Sequence, residues 1–319
     1  MAISKSVLEA IGGTPLVQLR RVPPKGCARI VVKVEGGNPT GSMKDRMAQS
    51  MIAAAEKDGR LKPGGSVVEY TGGSTGASLG LICAAKGYRL HVVSSEAFSG
   101  EKLAQMVAFG AELTLIESEG GKFTERLFRE MIATAKAIAE KQGAFWTDQL
   151  TNTDSIVGYH SMGEEIWRQT EGRVDAFVQA VGTSASLQGV KAILKPGNPN
   201  VRIIAVEPAE SAVLSGGKKG AHGIEGIGVG YIPPMWRDDI ADEIIPISTA
   251  AGEEMARHLA REEGLFTGTS SGANVLAAIE VGKRLGPDAT VATILIDSGL
   301  KYLTTSVYKL EERPRSNLR

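Results

Sequence analysis

Cysteine is scarce in this chain of 319 residues: Cys27 and Cys83 stand far apart and share no CxxC spacing. Two such residues cannot frame a disulfide scaffold, and they fit thiols in a reducing compartment, so a cytoplasmic location is expected. Cys83, set in an apolar helical stretch, reads as core. Aromatic residues make up only 5%, and 36 basic residues balance 36 acidic ones. Without a basic stripe or interleaved aromatics, a nucleic-acid surface is not expected. Nowhere does an apolar run reach the roughly 18 residues of a membrane span, and Met1-Ala2-Ile3-Ser4-Lys5 lacks the apolar run of a signal peptide.

Familiar catalytic signatures are missing too. The four histidines, His91, His160, His222 and His258, are scattered with no HExxH pair and no cysteine cluster beside them, so no metal site is expected. Ser270-Ser271-Gly272 is not a GxSxG elbow, which leaves a hydrolase triad hard to assemble. The nearest approach to a Walker loop, Gly36 to Met43, has Ser42 where lysine is required, and no glycine loop spells GxGxxG. What remains is a small-molecule partner.

What is present is a repeated alternation. The length calls for two domains of similar size. Ile30 to Val34, Ser66 to Tyr70, Leu90 to Val93, Leu113 to Ile116, Ala144 to Trp146, Ala176 to Val181, Val201 to Val206 and Val291 to Ile296 read as strands. Helical patterns lie between many of them: from Ser42, through Leu79 to Ala85, Lys102 to Phe109, Thr124 to Lys141, Leu187 to Leu194, Ala251 to Glu263 and Leu276 to Arg284. Parallel βα units account for this economically. The polar stretch Gln149 to Ile156 is the expected crossing between domains, Gly268 to Gly272 reads as a turn, and the chain closes in a polar tail, Glu311 to Arg319. Seven glycines between Gly216 and Gly230 suit a flap or close backbone contact with a ligand, with a plain surface loop as the alternative.

Three stretches stand out chemically. In Asn38-Pro39-Thr40-Gly41-Ser42-Met43-Lys44-Asp45-Arg46, a turn feeds a helix, and Ser42 with Asp45 forms a capping-box-like start. Lys44 lines up with the apolar face of Ala48, Met51, Ile52 and Ala55, where desolvation and the positive end of the helix dipole both favour a neutral, nucleophilic amine. Its plain alternative is a snorkelling lysine. Thr71 to Gly76 joins a strand end to a helix start and offers amides and hydroxyls to a carboxylate or phosphate, although a glycine turn used only for tight packing looks the same. Gly182-Thr183-Ser184-Ala185-Ser186 has the same setting and suits phosphate. A reactive lysine, a phosphate loop and a carboxylate loop, without metal or catalytic histidine, point to pyridoxal 5'-phosphate and an amino-acid substrate.

The chain resembles the cysteine synthase (O-acetylserine sulfhydrylase) and cystathionine β-synthase family of fold-type II pyridoxal-phosphate enzymes. The resemblance runs from Ile11-Gly12-Gly13-Thr14-Pro15-Leu16-Val17 to Asp297-Ser298-Gly299-Leu300-Lys301-Tyr302-Leu303. It includes the lysine motif, with Met43 where valine is usual, Gly226 to Pro233, Glu262 to Leu265 and Ser270 to Ala273. It implies two three-layer αβα domains with open, mostly parallel twisted sheets, like the tryptophan synthase β-chain. The smaller would span 1–150, its first ~36 residues packing on the other, and the larger, cofactor-phosphate domain 151–319. It implies that Lys44 carries the cofactor as a Schiff base, that Gly182, Thr183, Ser184, Ala185 and Ser186 hold its phosphate, and that Ser270 faces the pyridine nitrogen. A neutral hydroxyl there does not keep that nitrogen protonated, which favours β-elimination and replacement over transamination. Thr71, Gly72, Gly73, Ser74, Thr75 and Gln149 would bind the substrate carboxylate, with Gly226 beside the substrate.

The chain departs from this pattern near the substrate. Gly72 stands for a serine, Ser74 for the asparagine that reaches the cofactor's phenolic oxygen, Ser184-Ala185-Ser186 for Gly-Gly-Thr, and Glu225 for a glutamine. The expected reaction is β-replacement on an O-activated serine: Lys44, freed by the substrate amine, removes the Cα proton, acetate leaves O-acetylserine, and sulfide adds to give cysteine. Cystathionine-type thioether synthesis, or a lyase reaction on cysteine or serine, stays open because of Gly72 and Ser74. A non-catalytic binding protein on the same fold is the more distant alternative. The resemblance suggests a homodimer, and docking of serine acetyltransferase is left open.

Overall fold

Parallel pairing dominates the computed structural model, which describes residues 3–120, 124–228 and 230–309. The strands are numbered along the chain. The larger sheet has six in the order β1 (Leu16–Gln18), β2 (Arg29–Val34), β10 (Thr290–Leu295), β7 (Ala176–Ala180), β8 (Arg202–Pro208) and β9 (Glu243–Ile247). The smaller has four in the order β5 (Glu112–Leu115), β4 (Arg89–Ser94), β3 (Ser66–Tyr70) and β6 (Phe145–Trp146). Every pair is parallel except β1 against β2. All residues of β7 and β10 are buried, as strands covered by helices on both faces must be, and this explains their unbroken apolar character. Pro246, which has no amide for a ladder, sits in β9 at the sheet edge.

Helices α1 (Lys44–Asp58), α2 (Ser74–Lys86), α3 (Gly100–Ala108) and α4 (Glu125–Gln142) belong to the first half of the chain. After the short α5 (Asp154–Gly158) come α6 (His160–Gln169), α7 (Ala185–Gly197), α8 (Thr249–His258) and α9 (Thr269–Leu285). Each sheet is layered between helices, so the molecule is two αβα units. Among the described residues no helix is long and apolar enough to cross a membrane. Val229 of the glycine-rich stretch and the tail Glu311 to Arg319 lie outside the described residues.

Several local expectations are corrected. Helix α1 starts at Lys44, not Ser42, and the capping box does not form: Ser42 Oγ accepts from the Lys44 amide at 3.2 Å. Asp45 instead takes the Thr40 amide at 2.9 Å and the Thr40 and Ser78 hydroxyls at 2.5 and 2.6 Å. A buried carboxylate is better satisfied by three converging donors than by one amide at a helix end. Gly268 to Gly272 is not a free turn but the cap and first turn of α9, since Thr269, Ser270 and Ser271 are all helical. The helix expected over Ala251 to Glu263 ends as α8 at His258 and continues as a π turn, Leu259–Glu263. The helix expected over Leu187 to Leu194 runs as α7 from Ala185 to Gly197, with Pro196 inside its last turn.

The start of α1 is bound to both halves. The Met43 amide donates to the Ile296 carbonyl at 2.9 Å and the Ser298 amide to the Gly41 carbonyl at 2.9 Å, with a bridge between Ser42 and Asp297. One turn on, buried Arg46 donates to Glu35 at 2.7 and 2.8 Å and to Glu165 at 2.8 and 2.9 Å, and Lys33 meets Glu165 at 2.6 Å. With Ser78 of α2 donating to Asp45 and Gln105 of α3 to the Thr40 carbonyl at 3.1 Å from the small-sheet side, neither sheet alone fixes this turn.

Candidate active site

Parallel sheets leave their ligand-binding crevices at the carboxyl ends of the strands, and three such ends meet around Lys44. The small sheet supplies the loop from β3 into α2, and the large sheet supplies the loop from β7 into α7 and the segment after β10. The backbone pairing of Gly41 to Met43 with Ile296 to Ser298 places the first residue of α1 between them.

Lys44 is half-buried, and its amine makes no hydrogen bond among the described residues. Its pKa is lowered to about 8, chiefly because burial disfavours the ammonium; Asp297 pulls it back up and Lys102 pushes it down. Near neutrality about a tenth of this amine is therefore an unprotonated nucleophile, far more than of an ordinary lysine.

On the small-sheet side, the Thr71 hydroxyl accepts from the Gly73 amide at 3.0 Å and so shapes the loop before α2. Thr75 Oγ1 donates to Gln149 Oε1 at 2.7 Å, joining two residues expected on one ligand from 74 positions apart. Gln149 is itself held by the Tyr70 carbonyl at 3.3 Å and by Glu69, whose carboxyl accepts the Gln149 amide at 3.1 Å. Burial pushes the Glu69 carboxyl up to about 8, against the pull of Thr147 and the Gln149 and Tyr70 amides. Ser74 Oγ donates to Asp297 Oδ2 at 3.1 Å across the cleft. Gly72 has a physical reason here: a Cβ on it would lie 1.9 Å from the ring of Phe98.

On the large-sheet side, Gly182 to Ser186 runs from β7 into α7. Ser184 takes a left-handed φ of 70° and accepts from Gln188 Nε2 at 2.9 Å, while Ser186 accepts from Gln179. A Cβ on Gly182 would meet the Gly226 carbonyl at 2.6 Å, and the Gly228 amide donates to Val181 at 3.2 Å. The glycine-rich stretch is thus a backbone layer laid on this loop, with Gly226 directly against Gly182. Ser270, at the start of α9, is 2% exposed, and its hydroxyl has no partner among the described residues. Its neighbours are tied to the segment after β10, Ser271 accepting the Ile296 amide at 2.9 Å and Thr267 donating to the Asp297 carbonyl at 2.9 Å.

Three contributors had no role in the sequence reading. Asp297 accepts from Ser74 and from Tyr302 Oη at 2.9 Å. Lys102, 2% exposed, stands 4.3 Å above the Tyr302 ring and pairs with Glu225. Phe98 fills the space beside Gly72. Lys102 had a legible signal: four residues before Met106 on a nine-residue helix, it shares the buried face, an odd place for a cation without a task. Among the described residues no cluster of His, Cys, Asp or Glu is placed to hold a metal.

A family model for pyridoxal-phosphate dependent enzymes matches residues 7–297. A cysteine synthase of Staphylococcus aureus is 41% identical over 309 residues, 96% of this chain and 98% of that protein. The chain belongs to the cysteine synthase family of pyridoxal-phosphate-dependent enzymes. Among solved structures, a cysteine synthase of Entamoeba histolytica superposes with a TM-score of 0.90 at 40% identity, over 98% of this chain and 93% of the other. An O-ureido-L-serine synthase superposes with a TM-score of 0.91 at 33% identity, over 98% of both chains.

The residues of this cysteine synthase family member fit the cofactor chemically. An unpaired, partly neutral amine suits the aldehyde, a glycine-serine loop at the start of α7 suits a phosphate, and an unpartnered buried hydroxyl at Ser270 suits a ring nitrogen.

Proposed function

We propose that the enzyme catalyses β-replacement on an O-activated serine, making cysteine from O-acetyl-L-serine and sulfide. The observation that carries this reading is the Lys44 amine, desolvated and without a hydrogen bond, beside Asp297, which accepts from Ser74 of one loop, and one residue after Met43, whose sulfur meets Gln179, the donor to Ser186 of the other. Pyridoxal phosphate, when bound, withdraws electrons from the substrate Cα. In this reading Lys44 Nζ anchors the cofactor, and Gly182 to Ser186 hold its phosphate. The Ser270 hydroxyl meets the ring nitrogen without charging it, which keeps the electron sink weak enough for the β-substituent to be expelled. The start of α2, with the loop Thr71 to Gly73, Ser74, Thr75 and Gln149, orients the substrate carboxylate, Gly226 closing the other side.

Released from the cofactor, Lys44 Nζ takes the Cα proton; the Cβ–O bond breaks with its electron pair leaving on acetate; the Cβ–S bond forms from sulfide, and Lys44 returns the proton to Cα. The identity of the Staphylococcus aureus and Entamoeba histolytica relatives supports this donor and nucleophile.

A second reading, thioether synthesis or release of sulfide or ammonia on the same scaffold, is favoured by the remodelled substrate side, where Phe98 covers Gly72 and Lys102 pairs with Glu225. Turnover of O-acetylserine with sulfide, serine with homocysteine, and cysteine alone, on one preparation, separates them. The first reading expects the highest kcat/KM for O-acetylserine with sulfide; a higher value for either other reaction replaces it. The resemblance further supports a homodimer and leaves serine acetyltransferase as a docking partner; two free thiols, Cys27 and Cys83, support a reducing, cytoplasmic setting.

A further inference from the structure

Asp297 is 4% exposed, and its two oxygens are treated unequally. Oδ2 accepts the Ser74 hydroxyl at 3.1 Å and the Tyr302 hydroxyl at 2.9 Å, while Oδ1 has no partner among the described residues. Two cations feel its charge directly, Lys44 of α1 and Lys301 just beyond β10, while Glu225 of the glycine-rich stretch and Lys102 of α3 gather around Tyr302 beside it and Asp45 of α1 acts on Lys301. Of these, Lys44 is the one through which Asp297 bears on the chemistry, since its carboxylate acts on that amine.

A serine hydroxyl has one proton and two lone pairs. Where the proton goes to a carboxylate oxygen, which only accepts, whatever else approaches Ser74 Oγ meets lone pairs. An asparagine at this position presents N–H groups instead. The cofactor's phenolic oxygen is attached to the ring carbon next to the one bearing the aldehyde, so a group beside the Lys44 nitrogen is also beside that oxygen. A donor there stabilises the ionised phenolate; an acceptor stabilises the protonated phenol.

We propose that Asp297 is a positioning residue acting through Ser74: by taking the serine proton it makes Ser74 an acceptor towards the cofactor's phenolic oxygen and holds that oxygen protonated. The proton shared between the Lys44 nitrogen and the phenol then rests on the oxygen, with no net gain or loss of protons by the site. Tyr302 donates to the same carboxylate oxygen at 2.9 Å without touching the serine proton. The inference rests on Lys44 as the cofactor's anchor.

The test is the absorption spectrum of the substrate-free holoenzyme, because the phenol form absorbs in the near ultraviolet and the phenolate form in the visible. The wild-type enzyme should be dominated by the near-ultraviolet band. Ser74→Asn should raise the ratio of visible to near-ultraviolet absorbance about fivefold to tenfold, the change that one ordinary hydrogen bond produces. Asp297→Asn should shift it the same way, because the new amide can donate to Ser74 Oγ and free the serine proton for the phenol. Tyr302→Phe should leave the ratio near wild type. The proposal is overturned if wild type is already dominated by the visible band, if neither Ser74→Asn nor Asp297→Asn moves the ratio, or if Tyr302→Phe moves it as far as they do. Borohydride reduction and peptide mapping of the same samples distinguish the two levels. Cofactor on Lys44 with an unmoved band ends this inference alone, whereas no cofactor on Lys44 ends the anchor assignment as well.

Discussion

At Lys44 the loss of solvation outweighs the attraction of Asp297, and the ammonium gives up its proton near pH 8 rather than near its ordinary 10.5. Cofactor uptake by the cofactor-stripped protein needs the neutral amine, so its rate should climb with pH and level off above about 8. A stopped-flow pH profile checks this; a rate still rising steeply near 10.5 would show an unperturbed lysine. Glu69 runs the other way. Its carboxyl, raised to about 8 by burial, stays protonated in the folded protein at pH values where the unfolded chain has released that proton. The folded state binds more protons, so the stability tied to Glu69 is fully present below its ordinary 4.5 and falls as pH rises towards 8. Glu69→Gln, keeping the contacts to Thr147 and Gln149 without the charge, should flatten that decline in denaturant titrations. An unchanged slope would remove Glu69 as its source.

Among elements, the loop between β3 and α2 shows how a departure from a family pattern can be a packing event. Gly72 and Phe98 share one volume, since a Cβ at 72 meets the ring at 1.9 Å. Gly72→Ser should therefore cost about 1–3 kcal/mol by overpacking and weaken substrate binding, while Phe98→Ala in the same chain should recover much of both. Additive losses in that double-mutant cycle would deny the coupling. Arg46, one turn beyond the lysine, makes a comparable case. Its replacement by methionine leaves Glu35 buried without its guanidinium partner and Glu165 with Lys33 alone, a loss of about 3–5 kcal/mol in chemical denaturation. Burial pushes the Glu165 carboxyl up, but Arg46 and Lys33 outweigh it and hold it down at about 2. The stability it lends is present above its ordinary 4.5 and is lost as pH falls towards 2, so Arg46→Met should shed most of that acid dependence.

These examples also mark where the sequence was readable. Strands β3, β4, β7 and β10 are apolar runs bounded by turn residues, and period and punctuation suffice to find them. The three-residue β1 and the mixed β9 with its Pro246 carry too little contrast. Lys44 and the two loops stand out in the sequence because each pairs a special residue with a strand end or helix start. Asp297, Lys102 and Phe98 do not, because their meaning lies in partners more than 20 residues away: Ser74 for the first, Glu225 for the second and Gly72 for the third. The Ser42 cap failed for a related reason. Three donors around Asp45, including Ser78 from α2, compete with a local motif and win.

For the whole molecule, the cleft is spanned by contacts that tie α3 to the segment after β10 and to the glycine-rich stretch: Lys102 to Glu225, Lys301 to Gln105 at 2.7 Å, and Thr304 to Glu101 at 2.9 Å. Lys102 is almost wholly buried while Glu225 is about a third exposed, so solvent weakens their bond less than it would a surface pair. Glu225→Gln should loosen this seam, accelerating hydrogen exchange across residues 100–108 and 224–228 while leaving the β7 and β10 amides unchanged. Uniform acceleration everywhere would mean a loss of global stability instead. The same geometry puts the reactive amine where both sheets end, and the chemistry depends on that convergence. Its most direct test is borohydride reduction of the purified holoenzyme followed by mass-spectrometric peptide mapping: the reduced pyridoxyl group should be found on the peptide carrying Lys44, and its recovery on any other lysine, or on none, would contradict the account.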